Sequence, residues 1–327
     1  MSRRSLSIAV GDYFHVRHLV DGRVDVPGLD LVWVQLQNEQ ILQRAFQHRE
    51  WDASEFSLAQ YVALRSQGDD SLIALPVFPS RVFRHSSIFV RQGGIERPEQ
   101  LHGARIGVPE WVQTAGVWAR GILVDDFGLD LSSVDWVQGG LFTAGRKEHV
   151  TVTLPAGIHV RSEADRSLSD LLSDGQLDAI ISARAPAGFS PTGPIGPLFR
   201  NARERELEWG LRNRTVPIMH VVVLRRDVYE RAPWSARGLY DGFAAAKKAA
   251  LAALSDLTVS VVPVPWVGDE PTRLSDLFDG EWWPYGVELN RDSLTTFVRH
   301  ARHQGVAVRD MEIDSLFAPE TLGEVRI

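Results

Sequence analysis

At 327 residues, 44% of them hydrophobic, the chain exceeds the size that one hydrophobic core usually supports, so two lobes are expected. The net charge of −7 argues against a nucleic-acid partner, because no basic surface follows from such a balance. The absence of cysteine excludes disulfides, thiolate metal sites and a cysteine nucleophile.

Strand-like and helix-like segments alternate along the chain, a pattern typical of an α/β fold. Apolar runs first predict strands at 6–10, 29–36, 51–56 and 73–78, with helices at 38–48 and after Ser57. Further along they predict strands at 104–108, 177–182 and 217–224, and helices after Thr114, at 168–173 and at 233–254. We expect a first lobe of residues 1–92, an inserted lobe of 93–205, and a completion of the first lobe with C-terminal helices at 206–327. This layout predicts a two-lobed fold like that of solute-binding proteins, with a ligand cleft between the lobes.

Polar and cationic residues follow the predicted strand 73–78 directly. Ligands of open α/β sheets bind beyond the carboxyl ends of strands and at helix N-termini. We therefore predict that Arg81 and Arg84 bind a substrate anion, with Ser80 and Thr114 as hydrogen-bond donors. The alternative is that both arginines are ordinary surface cations.

The sequence lacks the motifs that hold nucleotide cofactors. No G-x-G-x-x-G follows a predicted strand, and G-x-x-x-x-G-K-[ST] is absent. The G-x-S-x-G turn of serine hydrolases is absent as well. We therefore predict chemistry without a cofactor.

Three histidines are candidate proton carriers. His15 follows the first strand, His85 follows the strand 73–78, and His220 lies in the returning strand, so all three could meet at one cleft. Histidine is suited to this task because it titrates near neutral pH. No metal site is predicted, since no ligand spacing such as H-E-x-x-H is present.

Three carboxylates also lie at or just beyond predicted strand ends. Glu110 is a candidate acid or base, and Asp12 and Glu55 are candidate substrate-binding residues. Carboxylates at such positions can instead cap helices.

A non-periodic aromatic segment, EWWPYG, occupies residues 281–286. We predict that its Trp283 and Tyr285, together with Trp118, line a flat pocket for an aromatic ring. The alternative is that these rings belong to the core.

Several segments resemble the 4,5-dihydroxyphthalate decarboxylase family: 76–90 (PVFPSRVFRHSSIFV), 107–123 (GVPEWVQTAGVWARGIL), 217–234, 283–286 (WPYG) and 316–321 (LFAPET). The resemblance spans nearly the whole chain. It implies a type II periplasmic-binding-protein-like fold used as an enzyme, and a non-oxidative aromatic decarboxylation. The exit of the first strand departs from the family, which has an acidic residue, an arginine and a threonine where this chain has Phe14, His15 and Val16. The substrate implied is therefore 4,5-dihydroxyphthalate or a close relative.

The chemistry of this substrate class assigns three tasks to the protein. A base removes the hydroxyl proton, an acid protonates the ring carbon that bears the leaving carboxylate, and cations hold the remaining carboxylate. The candidates for proton transfer are His15, His85, His220 and Glu110, and the candidates for the anion are Arg81 and Arg84.

Two other functions fit the same fold. One is a solute-binding protein for a small aromatic or carboxylate ligand, which should carry a secretion signal or a lipobox cysteine. The other is an enzyme acting on a futalosine-like intermediate. Because the first apolar run is too short for a signal peptide and no run approaches the roughly 20 residues of a membrane helix, we expect a cytoplasmic protein without a membrane partner. The expected partner is a small aromatic carboxylate, and a homo-oligomer is left open.

Overall fold

The computed structural model describes residues 3–256, 258–259 and 261–323. Its strands form two mixed sheets with helices packed around them. The strands are β1 (Arg4–Ala9), β2 (Leu29–Val34), β3 (Ala53–Ser57), β4 (Leu72–Leu75), β5 (Ile88–Arg91), β6 (Arg105–Val108), β7 (Asp135–Gln138), β8 (Val160–Ser162), β9 (Ala179–Ile181), β10 (Ile195–Pro197) and β11 (His220–Arg225).

The first sheet has the order β2-β1-β3-β11-β4. Strands β1, β2 and β3 are parallel, so their carboxyl ends meet at one edge. Strand β11 runs antiparallel between β3 and β4, with His220 opposite Ser57. The beginning of β11 therefore lies at the same edge as the end of β3.

The second sheet has the order β10-β5-β9-β6-β7-β8. Strands β6, β7, β8 and β9 are parallel, β5 runs antiparallel to β9, and β10 runs antiparallel to β5. Strand β5 lies in this sheet, although the predicted boundary at residue 92 grouped it with the first lobe. The exact limits of the lobes stay a prediction.

The five helices predicted from the sequence, at 38–48, after Ser57, after Thr114, at 168–173 and at 233–254, begin close to the expected positions. The helices are α1 (Arg17–Val20), α2 (Asn38–His48), α3 (Leu58–Ser66), α4 (Thr114–Phe127), α5 (Leu168–Ser173), α6 (Ala202–Asn213), α7 (Arg226–Arg231), α8 (Trp234–Leu254), α9 (Glu270–Leu277) and α10 (Arg291–His303). Helix α3 begins as expected after Ser57, whose hydroxyl accepts a hydrogen bond from the Gln60 amide. Within the described part of the chain, no helix is long and apolar enough to cross a membrane.

The strand predicted at 73–78 ends earlier than expected. Strand β4 stops at Leu75, and Val77 and Phe78 are fully buried beyond it. The side chains of both sheets contribute to one continuous buried core. The residues after β4 therefore run through packed protein before they reach Arg81.

Candidate active site

A fully buried carboxylate, Glu55, organises the carboxyl edge of the first sheet. It lies in β3 and has no exposed surface. Its Oε1 accepts hydrogen bonds from the Tyr13 hydroxyl (2.6 Å) and His220 Nδ1 (2.5 Å), and its Oε2 accepts one from the Gly11 amide (2.8 Å). The Asn38 amide donates to the Tyr13 oxygen at 2.5 Å. We call Tyr13, Asn38, Glu55 and His220 the Glu55 cluster.

The environment keeps Glu55 ionised. Burial alone would raise the pKa of this carboxyl, but the hydrogen bonds from His220, Tyr13 and Gly11 outweigh it and hold the pKa below its usual value. Burial and the charge of Glu55 raise the pKa of Tyr13, so its hydroxyl stays protonated and acts as a donor. The cluster is thus an anion surrounded by donors.

His220 is a partly exposed member of the cluster. Its side chain is 19% exposed, whereas the Glu55 side chain is 0% exposed. Because Nδ1 is bound to Glu55, Nε2 is the ring nitrogen left for a ligand. A carboxylate behind an imidazole fixes the ring and stabilises the positive charge that forms when Nε2 accepts a proton.

Gly11 allows this arrangement because it has no side chain. A Cβ at this position would lie 1.9 Å from the Oδ1 atom of Asn38. Only glycine lets the chain after β1 approach α2 so closely. The same residue supplies the amide that binds Glu55.

His15 lies beside the Glu55 cluster, between two aromatic rings. Its ring centroid is 5.4 Å from that of Tyr13 and 5.7 Å from that of Trp283. Burial and the positive charge of Lys247 lower the pKa of His15 to about 4, so the ring is neutral at pH 7. Its Nε2 is buried and has no hydrogen-bond partner within the described residues. This nitrogen is the atom of His15 that the described residues leave without a hydrogen bond.

Lys247, from α8, holds the aromatic segment 281–286 against this edge. Its Nζ donates to the Trp283 carbonyl at 2.7 Å, pairs with Glu281 at 3.2 Å and lies 4.7 Å above the Tyr285 ring. The Tyr285 hydroxyl is buried without a partner within the described residues. Trp283 therefore lies beside His15, and Lys247 holds Tyr285 in the same segment. The predicted role of both rings in lining an aromatic pocket stays a prediction.

Arg81 is committed to the protein itself. Its Nη1 donates to the Val216 carbonyl at 3.0 Å, and its Nη2 donates to the Pro284 carbonyl at 2.6 Å and to the Asn290 side chain. It is 4% exposed, and burial lowers its pKa to about 9. This geometry anchors the aromatic segment, and the predicted role of Arg81 in binding an anion has no support from its contacts.

Three further candidates make their contacts with residues outside the Glu55 cluster. Arg84 donates to the Met219 sulfur and to the Ser87 hydroxyl. His85 packs against Phe199 and Trp209, and burial lowers its pKa to about 4. Trp118 is fully buried, with its indole donating to the Ile218 carbonyl, which matches the core alternative.

Ser80 and Thr114 lie at junctions. The Ser80 carbonyl accepts the amides of Met219 and His220, which ties the chain after β4 to the start of β11. The Thr114 hydroxyl, at the start of α4, contacts the Ser57 hydroxyl at 2.9 Å and accepts the Ala59 amide at 3.0 Å. Thr114 therefore connects the start of α4 to the start of α3.

Glu110 belongs to a second charged cluster, at the carboxyl edge of the second sheet. Its Oε1 accepts from Arg146 Nε at 2.7 Å, and its Oε2 lies 2.9 Å from His149 Nδ1. The hydrogen bond to Glu110 raises the pKa of His149, while burial and the charge of Glu110 raise the pKa of the nearby Glu148 to about 7. Both oxygens of Glu110 are thus occupied by cationic or titratable partners.

Asp12 lies outside both clusters. It is exposed and forms an ion pair with Arg17 at 2.9 Å. No three His, Asp or Glu side chains come together to hold a metal within the residues that the structure describes.

Several residues of the site were not predicted. Tyr13 and Asn38 carry no sequence signal, because neither side chain titrates near neutral pH and neither belongs to a motif. Arg146 lies eight residues beyond β7 in irregular chain, where strand-end reasoning does not reach.

Two curated proteins are similar in sequence to this chain. The 4,5-dihydroxyphthalate decarboxylase of Comamonas testosteroni is 37% identical over 330 aligned residues, which cover 100% of both chains. The enzyme of the same name from Pseudomonas putida is 43% identical over 212 residues, covering 64% of this chain and 82% of the relative. The chain belongs to the 4,5-dihydroxyphthalate decarboxylase family. No protein-family model matches it.

Solved structures confirm the predicted fold. The periplasmic aliphatic sulphonate binding protein SsuA from Escherichia coli superposes with a TM-score of 0.52 at 13% identity, over 98% of this chain and 99% of that one. The desulfurization enzyme DSZB gives a TM-score of 0.51 at 14% identity, over 98% and 97%. At such identities the likeness concerns the fold alone, which is the two-lobed periplasmic-binding-protein-like α/β fold.

Proposed function

We propose that this protein is a carboxy-lyase that removes one carboxylate from a hydroxylated aromatic dicarboxylate, with 4,5-dihydroxyphthalate as the leading substrate. The observation that carries the proposal is the 37% identity to the Comamonas testosteroni decarboxylase along the full length of both chains. The solute-binding alternative is not favoured, because the solute-binding protein SsuA shares only 13% identity.

The Glu55 cluster suits the first step of such a reaction. His220 Nε2 accepts the proton of the ring hydroxyl para to the leaving carboxylate, and Glu55 stabilises the imidazolium that results. His15 Nε2, neutral and unpartnered within the described residues, accepts a hydrogen bond from the neighbouring hydroxyl.

The electrons of the phenolate then reach the ring carbon that carries the leaving carboxylate. That carbon accepts one solvent-derived proton and becomes tetrahedral, which yields a dienone. Cleavage of the carbon–carboxylate bond releases carbon dioxide, and the electron pair of that bond restores the aromatic ring. The reaction needs no oxidant, because it replaces the carboxylate by hydrogen.

The test is turnover of 4,5-dihydroxyphthalate by the purified protein without added cofactor, in heavy water. We expect carbon dioxide and 3,4-dihydroxybenzoate with one deuterium at the vacated carbon, measured by proton NMR and mass spectrometry. A His220→Gln variant should lose most of this turnover. Absence of carbon dioxide release from 4,5-dihydroxyphthalate and from related hydroxylated phthalates and benzoates would refute the proposal.

Three accompanying predictions stay predictions: the cytoplasmic location, the dispensability of metal, and the oligomeric state. Exhaustive chelation before the turnover assay addresses the second. Activity that is lost on chelation and restored by one divalent ion would contradict it.

A further inference from the structure

One carboxylate of the first lobe is bound by two arginines of the second. Glu39, in the first turn of α2, places Oε1 3.2 Å from Arg146 Nη1 and Oε2 3.0 Å from Arg184 Nη2. Arg146 follows β7 and Arg184 follows β9, so both come from the carboxyl edge of the second sheet. Two guanidinium groups on the two oxygens of one carboxylate make a carboxylate-binding site.

We propose that Arg146 and Arg184 bind the carboxylate that the substrate keeps, and that Glu39 competes with the substrate for them. This inference rests on the proposed function, since it names the anion subsite of an aromatic dicarboxylate. It also replaces the predicted anion role of Arg81, whose Nη atoms donate to backbone carbonyls and to Asn290.

Arg146 is held in a fixed orientation by a partner other than Glu39. Its Nε and Nη2 lie 2.7 and 2.5 Å from Oε1 of Glu110, whose side chain is 4% exposed. His149 binds the other oxygen of Glu110 at 2.9 Å. Glu110 therefore acts as a positioning residue, and Nη1 of Arg146 is the atom directed toward the first lobe.

The arginine pair lies next to the Glu55 cluster. Glu39 follows Asn38 directly, and Asn38 donates to the Tyr13 hydroxyl, which in turn donates to Glu55. Consecutive Cα atoms are about 3.8 Å apart, so the anion subsite and the proton-transfer groups flank the same first turn of α2. A ring that carries a carboxylate at one end and hydroxyls at the other can contact both.

Competition between Glu39 and the substrate for the two arginines has a different measurable consequence from ion pairs that only hold the lobes together. If Glu39 competes, its neutralisation should strengthen carboxylate binding. If the ion pairs only hold the lobes together, the same change should weaken binding or leave it unaltered. Arg184 is the better of the two arginines to replace, because its side chain is 63% exposed and its removal leaves no buried charge without a partner.

The experiment is calorimetric titration with phthalate, which keeps both carboxylates and lacks the hydroxyls needed for reaction. We expect Arg184→Gln to weaken phthalate binding about tenfold, as for loss of one charged hydrogen bond, and Glu39→Gln to strengthen it several-fold. Arg166→Gln is the matched control, since Arg166 is an exposed second-lobe arginine paired with Asp174 at 2.5 Å, and it should bind as the wild type does. In turnover assays Arg184→Gln should raise KM with little change in kcat.

Wild-type affinity in Arg184→Gln would overturn the inference, as would unaltered or weaker binding in Glu39→Gln or no binding of phthalate by the wild type. Failure of the proposed function is distinguishable. A wild type that binds phthalate with the expected variant pattern, yet releases no carbon dioxide from 4,5-dihydroxyphthalate or from the related hydroxylated phthalates and benzoates, refutes the decarboxylase and leaves the anion subsite standing.

Discussion

Replacement of Glu55 by glutamine tests the central feature of the site. Glu55 accepts three hydrogen bonds, at 2.5, 2.6 and 2.8 Å, with no exposed surface. Glutamine has the same shape, but one of its two terminal atoms is a donor. In either amide orientation at least one of the three donors loses its acceptor and faces another donor.

We expect two measurable losses in Glu55→Gln. An unsatisfied buried donor costs about 1 to 3 kcal/mol of folding free energy. Loss of the charge behind His220 should lower kcat about 10²- to 10⁴-fold, which corresponds to about 3 to 5 kcal/mol in the barrier. The assays are urea unfolding and steady-state release of carbon dioxide from 4,5-dihydroxyphthalate.

The matched control is Glu50→Gln, the same chemical change five residues earlier in an ion pair with Arg44 at the surface. It should alter neither quantity by a measurable amount, since exposed ion pairs contribute little. A folded Glu55→Gln protein with wild-type kcat would refute the role of Glu55 and return the search for the base to His15.

Three other outcomes follow from the structure. Gly11→Ala places a Cβ 1.9 Å from the Asn38 side chain and should displace that side chain from Tyr13. Steady-state kinetics should then show a kcat at least about tenfold lower. An unchanged kcat would contradict the role of this contact between Asn38 and Tyr13. Arg81→Ala should lower the unfolding free energy by about 3 kcal/mol in urea titrations, because two carbonyls and one amide oxygen each lose a charged donor. An effect on KM alone would instead favour an anion role. The low pKa of His85, about 4 against an unfolded value of 6.5, means that the unfolded chain binds a proton as pH falls below about 6.5 while the folded chain does not. The wild type should therefore lose about 2 kcal/mol more stability between pH 7 and pH 5 than His85→Phe, and equal losses in urea titrations would refute this.

Strand-end reasoning brings Glu55, His15 and His220 to one edge of the first sheet, and the structure places them there. The apolar runs locate the strands, and the strand order brings the carboxyl ends together, while the roles of these residues stay predictions. His220 also required the returning strand to be antiparallel, which places its first residue at that edge.

The same reasoning fails where the chain continues through the core. Since β4 ends at Leu75, Arg84 and His85 lie about ten residues beyond the sheet edge, and a sequence gives no direction for their side chains. Trp118 illustrates a related ambiguity, because a tryptophan near a helix start is compatible with a pocket wall or with the core. Packing decides between them, and packing depends on the whole fold.

The antiparallel position of β11 also determines when the first sheet can be completed during synthesis. Strand β4 is joined to β3 through β11, which is translated after the entire second sheet. At about 5 to 20 residues per second, the nascent chain waits several seconds or longer between making β4 and making its neighbour. Throughout that interval β3 lacks its β11 neighbour, and Glu55 lacks the hydrogen bond to His220. A ribosome-bound chain is therefore most prone to aggregate before residue 225 has been synthesised, and the Glu55 cluster assembles when β11 pairs with β3 and covers its edge.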